Sequence, residues 1–232
     1  MDPETISDLS YITELTYPPR IINKTSLRRI YAELGDTLDL TEVKQLPDGI
    51  QFTTHLSEER EVGKYIIRKN SILIANEFVS IGGLEFFWKK AETFTKKVTE
   101  TLKIPIFLMQ GCVIRILATP AGTDDSRVFI GNMVCGLKPE NLHFFNRPAQ
   151  VVGLRFFFPP KPNVPYEFDL KVESRISDIS KIWLENKARF FAPISKNKLS
   201  IIHDNLCTTR KFLVENVAQF LNQYNQPMED VQ

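Results

Sequence analysis

Val151-Val152-Gly153-Leu154-Arg155-Phe156-Phe157-Phe158 runs straight into Pro159-Pro160, and that stop constrains the fold of this chain more than any other feature. β-branched and aromatic residues favour a pleated strand. Proline has no N–H for a ladder and pushes the residue before it toward extended geometry, so a strand ends there. Val152, Leu154, Phe156 and Phe158 share one face, and Val151, Gly153, Arg155 and Phe157 the other. One charge among apolar residues predicts a central strand whose second face is partly wet. Tyr166 to Val172 then alternates, with Tyr166, Phe168, Leu170 and Val172 opposite Glu167, Asp169 and Lys171. A short strand follows, and then a long helix from about Lys198. Its stripe is Leu199, Ile202, Leu206, Leu213, Val217, Phe220 and Tyr224, at helical spacing. At 1.5 Å per residue such a helix is about 40 Å long and crosses several strands.

A fainter version of this order runs from Ile12 to Leu102. Ile12 to Tyr17 ends at Pro18-Pro19, and Lys24 to Leu34 is helical through Leu27, Ile30, Tyr31 and Leu34. A polar connector spans Asp36 to Asp48. Ile50 to Thr54, Gly63 to Arg68 and Ser71 to Ala75 read as strands, the last two joined at Lys69-Asn70. Gly82-Gly83 releases a helix from Leu84 to Leu102, with Phe87, Ala91, Phe94, Val98 and Leu102 as its buried stripe. Ile106 to Leu117 and Arg127 to Val134 are expected as a strand pair around a tip at Pro120 to Ser126, followed by a loop to Pro148. The resulting expectation is a single α+β domain over residues 1–232. Its antiparallel sheet is covered on one face by two long helices, with an internal pseudo-repeat. The halves are 12–102 and 151–224, joined by a strand-pair bridge at 106–148.

Composition narrows the function classes. The 232 residues are 43% apolar and 25% charged, as in ordinary globular chains, but seventeen Phe make the core unusually aromatic. A net charge of +1 supplies no global attraction to nucleic acid or anionic membrane, so such contacts need a local patch. No apolar run reaches the roughly 20 residues of a membrane-spanning helix. The acidic start at Asp2, Glu4 and Asp8 lacks the basic and apolar regions of a secretory signal. Cys112, Cys135 and Cys207 are odd in number and widely spaced, which suits reduced cysteines. These features predict a soluble, cytoplasmic protein.

Few motifs carry chemistry. Val128-Phe129-Ile130-Gly131-Asn132-Met133 resembles an RNA-recognition signature, in which strand aromatics stack bases, but the nearest candidate for the second signature, Gly153 to Phe158, lacks the Lys/Arg-Gly-aromatic start, and the stretch reads more simply as a buried strand. Lys89, Lys90, Lys96 and Lys97 make one side of the mid-chain helix basic and are the candidate phosphate contacts, although Glu85, Glu92 and Glu100 offset them. Arg115, Arg155 and Phe157 are the candidate ligand or partner contacts, because arginines on a half-buried sheet recognise carboxylate or phosphate in bidentate fashion. The simpler alternative pairs each arginine with a strand neighbour such as Glu167 or Asp169. His55, His143 and His203 are far apart, and none is expected at metal-ligand spacing with a Cys or carboxylate. There is no phosphate loop, nucleophile elbow or His-Glu-x-x-His. Nothing nominates a catalytic residue, a metal or a cofactor.

Gly153-Leu154-Arg155-Phe156 and Leu199-Ser200-Ile201-Ile202-His203 resemble two marks of an uncharacterised prokaryotic protein family of similar length. Its members open with a strand and Pro-rich turns, carry a mid-chain helix and end in a Leu-x-x-Leu-His-like helix. Phe156 and Phe157 stand where that family has tyrosine and asparagine. The resemblance implies no activity. The functional expectation is a non-enzymatic interaction or regulatory module that binds a protein partner or a second copy of itself. An apolar-ligand binder of helix-grip type is the alternative, and single-stranded nucleic-acid binding the second.

Overall fold

A computed structural model describes residues 6–55, 62–77, 82–138 and 144–224. The chain forms β1 (Ser7–Thr16), α1 (Lys24–Leu34), β2 (Glu42–Leu46), β3 (Gly49–His55), β4 (Val62–Arg68), β5 (Ser71–Glu77) and α2 (Gly83–Thr101). Next come β6 (Ile106–Phe107), β7 (Met109–Ala118), α3 (Ser126–Val128) with a π-helical continuation over Phe129–Val134, β8 (Gly153–Phe158), β9 (Tyr166–Ser174) and β10 (Ile182–Phe190). β11 (Ile194–Ser195) leads into α4 (Ser200–Lys211), a π-helical turn (Phe212–Val217) and α5 (Ala218–Asn222). Among the described residues no helix is long and apolar enough to cross a membrane.

Nine strands form one sheet in the order β2-β3-β4-β5-β1-β7-β10-β9-β8, and every neighbouring pair is antiparallel. β1 and β7 meet in the middle, with Ile12 opposite Val113 and Tyr11 opposite Ile114. Outward from that seam lie β5, β4, β3 and β2 on one side and β10, β9 and β8 on the other. The alternation of each strand decides its faces. Tyr11, Leu15, Phe52, Tyr65, Ile67, Ile72, Ile74, Ile114, Ile116, Leu184 and Val172 point to one side and are buried.

The helices pack on that side. Asn23 caps α1, its Oδ1 accepting from the Ser26 N–H at 2.7 Å, which satisfies a donor that the first turn leaves open. α1 lays Ile30 and Leu34 into the core and stacks Tyr31 on Phe52. α2 starts after Gly82, whose φ of 85° is left-handed and disfavours any residue with a Cβ. Phe87 of α2 meets Tyr11, and Phe94 meets Tyr65. The C-terminal helix sets Phe212 against Phe158 and Phe168, and Phe220 against Phe156. α4 is also tied down by a buried polar network. Gln110 Nε2 donates to Thr13 Oγ1 and to the Ile202 carbonyl, both at 3.1 Å, while Asn205 Nδ2 donates to Gln110 Oε1 at 2.8 Å. Arg210 completes the tie with a bidentate pair to Asp8 of β1 at 3.0 and 3.1 Å.

Five sequence expectations are overturned. Two long helices over an α+β sheet is the wrong balance: strand makes up 37% and helix 31%, and α1 and α3 stand beside the two long helices. Arg127 to Val134 is α3 and a π-helical turn, not a strand, because Phe129 and Ile130 are fully buried on one side as a helix places them. That leaves Met109–Ala118 without the expected hairpin partner, and it becomes a central strand of the sheet rather than part of a bridge. Finally, β8 is not central but the last strand of the sheet, with Phe157 58% and Phe158 42% exposed. The strand given only as short is β10, nine residues long, and it takes the place beside β7.

Candidate functional site

The face away from the helices is a ladder of side chains that runs across the whole sheet. One row reads Thr53, Lys64, Ala75, Ile12, Val113, Lys187, Asp169 and Phe157, each opposite the next across a strand pair. The neighbouring row reads His55, Val62, Glu77, Ser10, Arg115, Glu185, Lys171 and Arg155. Apolar side chains gather at the seam: Ile12 and Val113, with Ile66 and Leu73 beside them and Leu117 and Trp183 at one end. Charges gather on both flanks.

Those charges are matched. Lys64 Nζ pairs with Glu77 Oε2 at 2.9 Å, and Arg68 with Glu14 at 3.5 Å and Asp48 at 3.2 Å. On the other flank Glu185, whose side chain is only 3% exposed, takes Arg115 at 2.8 Å, Lys187 at 3.3 Å and Lys171 at 3.9 Å. Arg155 grips Asp169 through two hydrogen bonds of 2.7 and 2.6 Å. That grip holds the Asp169 carboxyl below the usual carboxylate range. Arg189 pairs with Glu167 at 3.1 Å. Beside the seam Leu9, Ser10, Glu77, Arg115 and Trp183 line a shallow hollow of about 290 Å³.

Arg115, Arg155 and Phe157 therefore all lie on this open face, but they do not converge. Three strand spacings separate Arg115 from Arg155, roughly 14 Å. Each arginine is engaged by a carboxylate. The four lysines of α2 are dispersed in the same way: Lys96 pairs with Glu92 at 2.7 Å, Lys97 with Glu33, and Lys90 sits 4.5 Å over the Phe86 ring, while Lys89 is exposed. Phe129, the aromatic of the RNA-recognition-like stretch, is fully buried and offers no ring to a base.

Two further arrangements escape sequence reasoning. On the helix-covered side Phe156, Phe158, Leu170, Phe212, Asn216, Val217 and Phe220 line an apolar recess of about 330 Å³. It opens where the C-terminal helix makes its π-helical turn, a distortion often found at functional sites. The second is a cluster between α2 and α4. His203 Nε2 lies 2.8 Å from Glu85 Oε1 and 3.5 Å from Cys207 Sγ. Burial, aided by the carboxylates of Glu85 and Asp204, pushes the Cys207 thiol pKa up. The expectation that no histidine sits at ligand spacing with a cysteine is wrong here. His203 and Cys207 are four apart on α4, the spacing that puts two side chains on one face. That signal was present in the sequence, but Glu85, 118 positions away, was not linked to it. His143 lies outside the described residues.

No protein-family model matches the chain, and no curated protein matches it. Function has to be read from the geometry.

Proposed function

We propose that this protein is a non-enzymatic interaction module that docks a protein surface on the open face of its sheet, a second copy of the same chain being the simplest occupant. The observation that carries this reading is the composition of that face: an apolar seam of Ile12, Leu73, Val113 and Trp183 between flanks whose cations and anions are already paired. An apolar centre with a polar rim is the anatomy of protein interfaces. A nucleic-acid surface needs unpaired cations instead. Size also supports it. Eight strand spacings give a width of about 38 Å, and strands of nine or ten residues give a length of about 30 Å. That exceeds the roughly 800 Å² per partner of a standard interface.

The test is solution mass by light scattering over a concentration series, for the native chain and for Leu73→Asp combined with Val113→Asp. Twice the chain mass for the native protein, and a folded monomer for the double variant, supports the reading. A native chain that stays monomeric at every concentration sinks self-association.

A second reading rests on the recess at Phe156, Phe158 and Phe220. Its volume sits at the low end for small-molecule pockets, and Asn216 is the only polar side chain among the described residues of its lining. Under this reading the protein carries a small apolar ligand. Native mass spectrometry with dodecanoate as probe tests it: a one-to-one adduct lost in Phe220→Asp supports it, and no adduct at saturating probe removes it.

A further inference from the structure

Where α2 meets α4, three side chains of different chemistry point at one spot. Glu85 stands in the first turn of α2, and His203 and Cys207 are one turn apart on α4. Their donor atoms, a carboxylate oxygen, Nε2 and Sγ, all lie within 4.8 Å of one another. Trp88, three residues past Glu85, stacks on the imidazole with ring centroids 5.3 Å apart and planes 24° from parallel. Trp88 is itself 8% exposed, so the histidine ring rests on a packed platform.

A cysteine, a histidine and a carboxylate can also form a nucleophile relay, but the geometry argues against one. In a relay the thiol faces one ring nitrogen and the acid faces the other, so that a proton passes through the ring. Here Glu85 and Cys207 both approach Nε2. Convergence of three donors on a common point is what a metal ion requires.

The geometry points to a binding site for one borderline divalent transition-metal cation, zinc by its donor set, formed by Glu85, His203 and Cys207. Zinc takes thiolate, imidazole and carboxylate together, with Zn–S near 2.3 Å and Zn–N near 2.0 Å, which places N and S donors about 3.5 Å apart around a tetrahedral ion. The observed Nε2 to Sγ distance is 3.5 Å. The Nε2 to Oε1 distance of 2.8 Å must open by roughly half an ångström to match the same tetrahedron. Glu85, with a side chain 68% exposed, is free to make that move. On binding, the Cys207 thiol gives its proton to solvent and the His203 N–H shifts to Nδ1, so that sulfur and Nε2 both present a lone pair. Three protein donors leave the fourth position to water or an incoming ligand. The site is on the helix side and does not depend on what docks on the open face.

The experiment is a cobalt titration of the reduced full chain after chelator treatment and buffer exchange, read by absorbance and tryptophan fluorescence. Saturation at one equivalent, with a thiolate-to-cobalt charge-transfer band and quenching that disappears in Trp88→Phe, is the expected result. Zinc displaces the cobalt and bleaches the band. Cys207→Ser abolishes the band and weakens uptake at least tenfold, and Glu85→Gln weakens it by less. His55→Ala, which alters the His55–Glu42 pair at 3.6 Å elsewhere on the surface, changes nothing. Circular dichroism melts confirm that each variant is folded. Absence of the band in the native chain, or one-equivalent uptake that survives in Cys207→Ser combined with His203→Ala, overturns the assignment.

Discussion

On the helix-covered face of the sheet, Tyr11, Ile114, Ile116 and Leu184 are sealed from solvent, and the buried Gln110 is met there by Thr13, Ile202 and Asn205. One residue further along the same strands, the opposite face carries Arg115, Glu185, Lys187 and Asp169 in a ladder of ion pairs around a small apolar seam. The same backbone ladder thus supports two surfaces with different energetics. The covered face is held by area removed from water, at about 25 cal/mol per Å². The open face is held by matched charges whose net contribution to stability is small where they are exposed. A face that adds little stability is one that a partner can occupy without disturbing the core.

The largest break in this contrast comes from the covered face. Phe94→Ala is expected to cost about 3–5 kcal/mol in urea denaturation, because it opens a cavity beneath Tyr65. A cost below about 1 kcal/mol would mean that the core does not close there. Glu185→Gln comes next, since among the described residues it is the open-face charge that the sheet buries. It leaves Arg115 without its carboxylate, and because Arg115 is 28% exposed the expected cost is about 2 kcal/mol. Mutating Arg115 to Gln in the same chain should recover part of that loss, which a double-mutant cycle would show.

The two faces also differ in how they titrate. Burial pushes the Cys112 thiol on the covered face from 9.0 up to about 12. The unfolded chain then sheds a proton that the folded chain keeps, so this contribution is whole below pH 9 and drains away as pH rises toward 12. Cys112→Ala should flatten the alkaline limb of a stability–pH curve, and an unchanged limb would show that the thiol does not report burial. On the open face the direction reverses. Asp169 is lowered by the hydrogen bonds from Arg155, so its contribution is present above the ordinary carboxylate range and is lost as pH falls through its folded value. Arg155→Ala should remove that acid sensitivity with the smallest effect of the series, since Arg155 is 66% exposed on its side chain. A large loss of stability in that variant would mean that the open face is not the weakly held one.

Much of the local structure was legible in the residues. Lys24 to Leu34 is helical over that very span, Gly82 releases α2, and the alternation from Tyr166 onward places Phe168, Leu170 and Val172 on the covered side. These follow from short-range rules of period, capping and backbone freedom. The segment from Arg127 to Val134 misled because apolar runs of that length fit a strand or a buried helix equally, and only the core around Phe129 selects between them. Of the candidate contacts, Arg155 could be given its strand neighbour Asp169 as partner, and the structure pairs the two, whereas Arg115 could not be given Glu185, which is 70 positions away. Local pattern placed most of the strands and helices and the apolar side of each, because those properties depend on neighbours within a few residues. Contacts between residues distant in the chain set the rest: β7 lies against β1, Glu85 reaches His203 and Cys207, and among the described residues the helices pack on one face of the sheet.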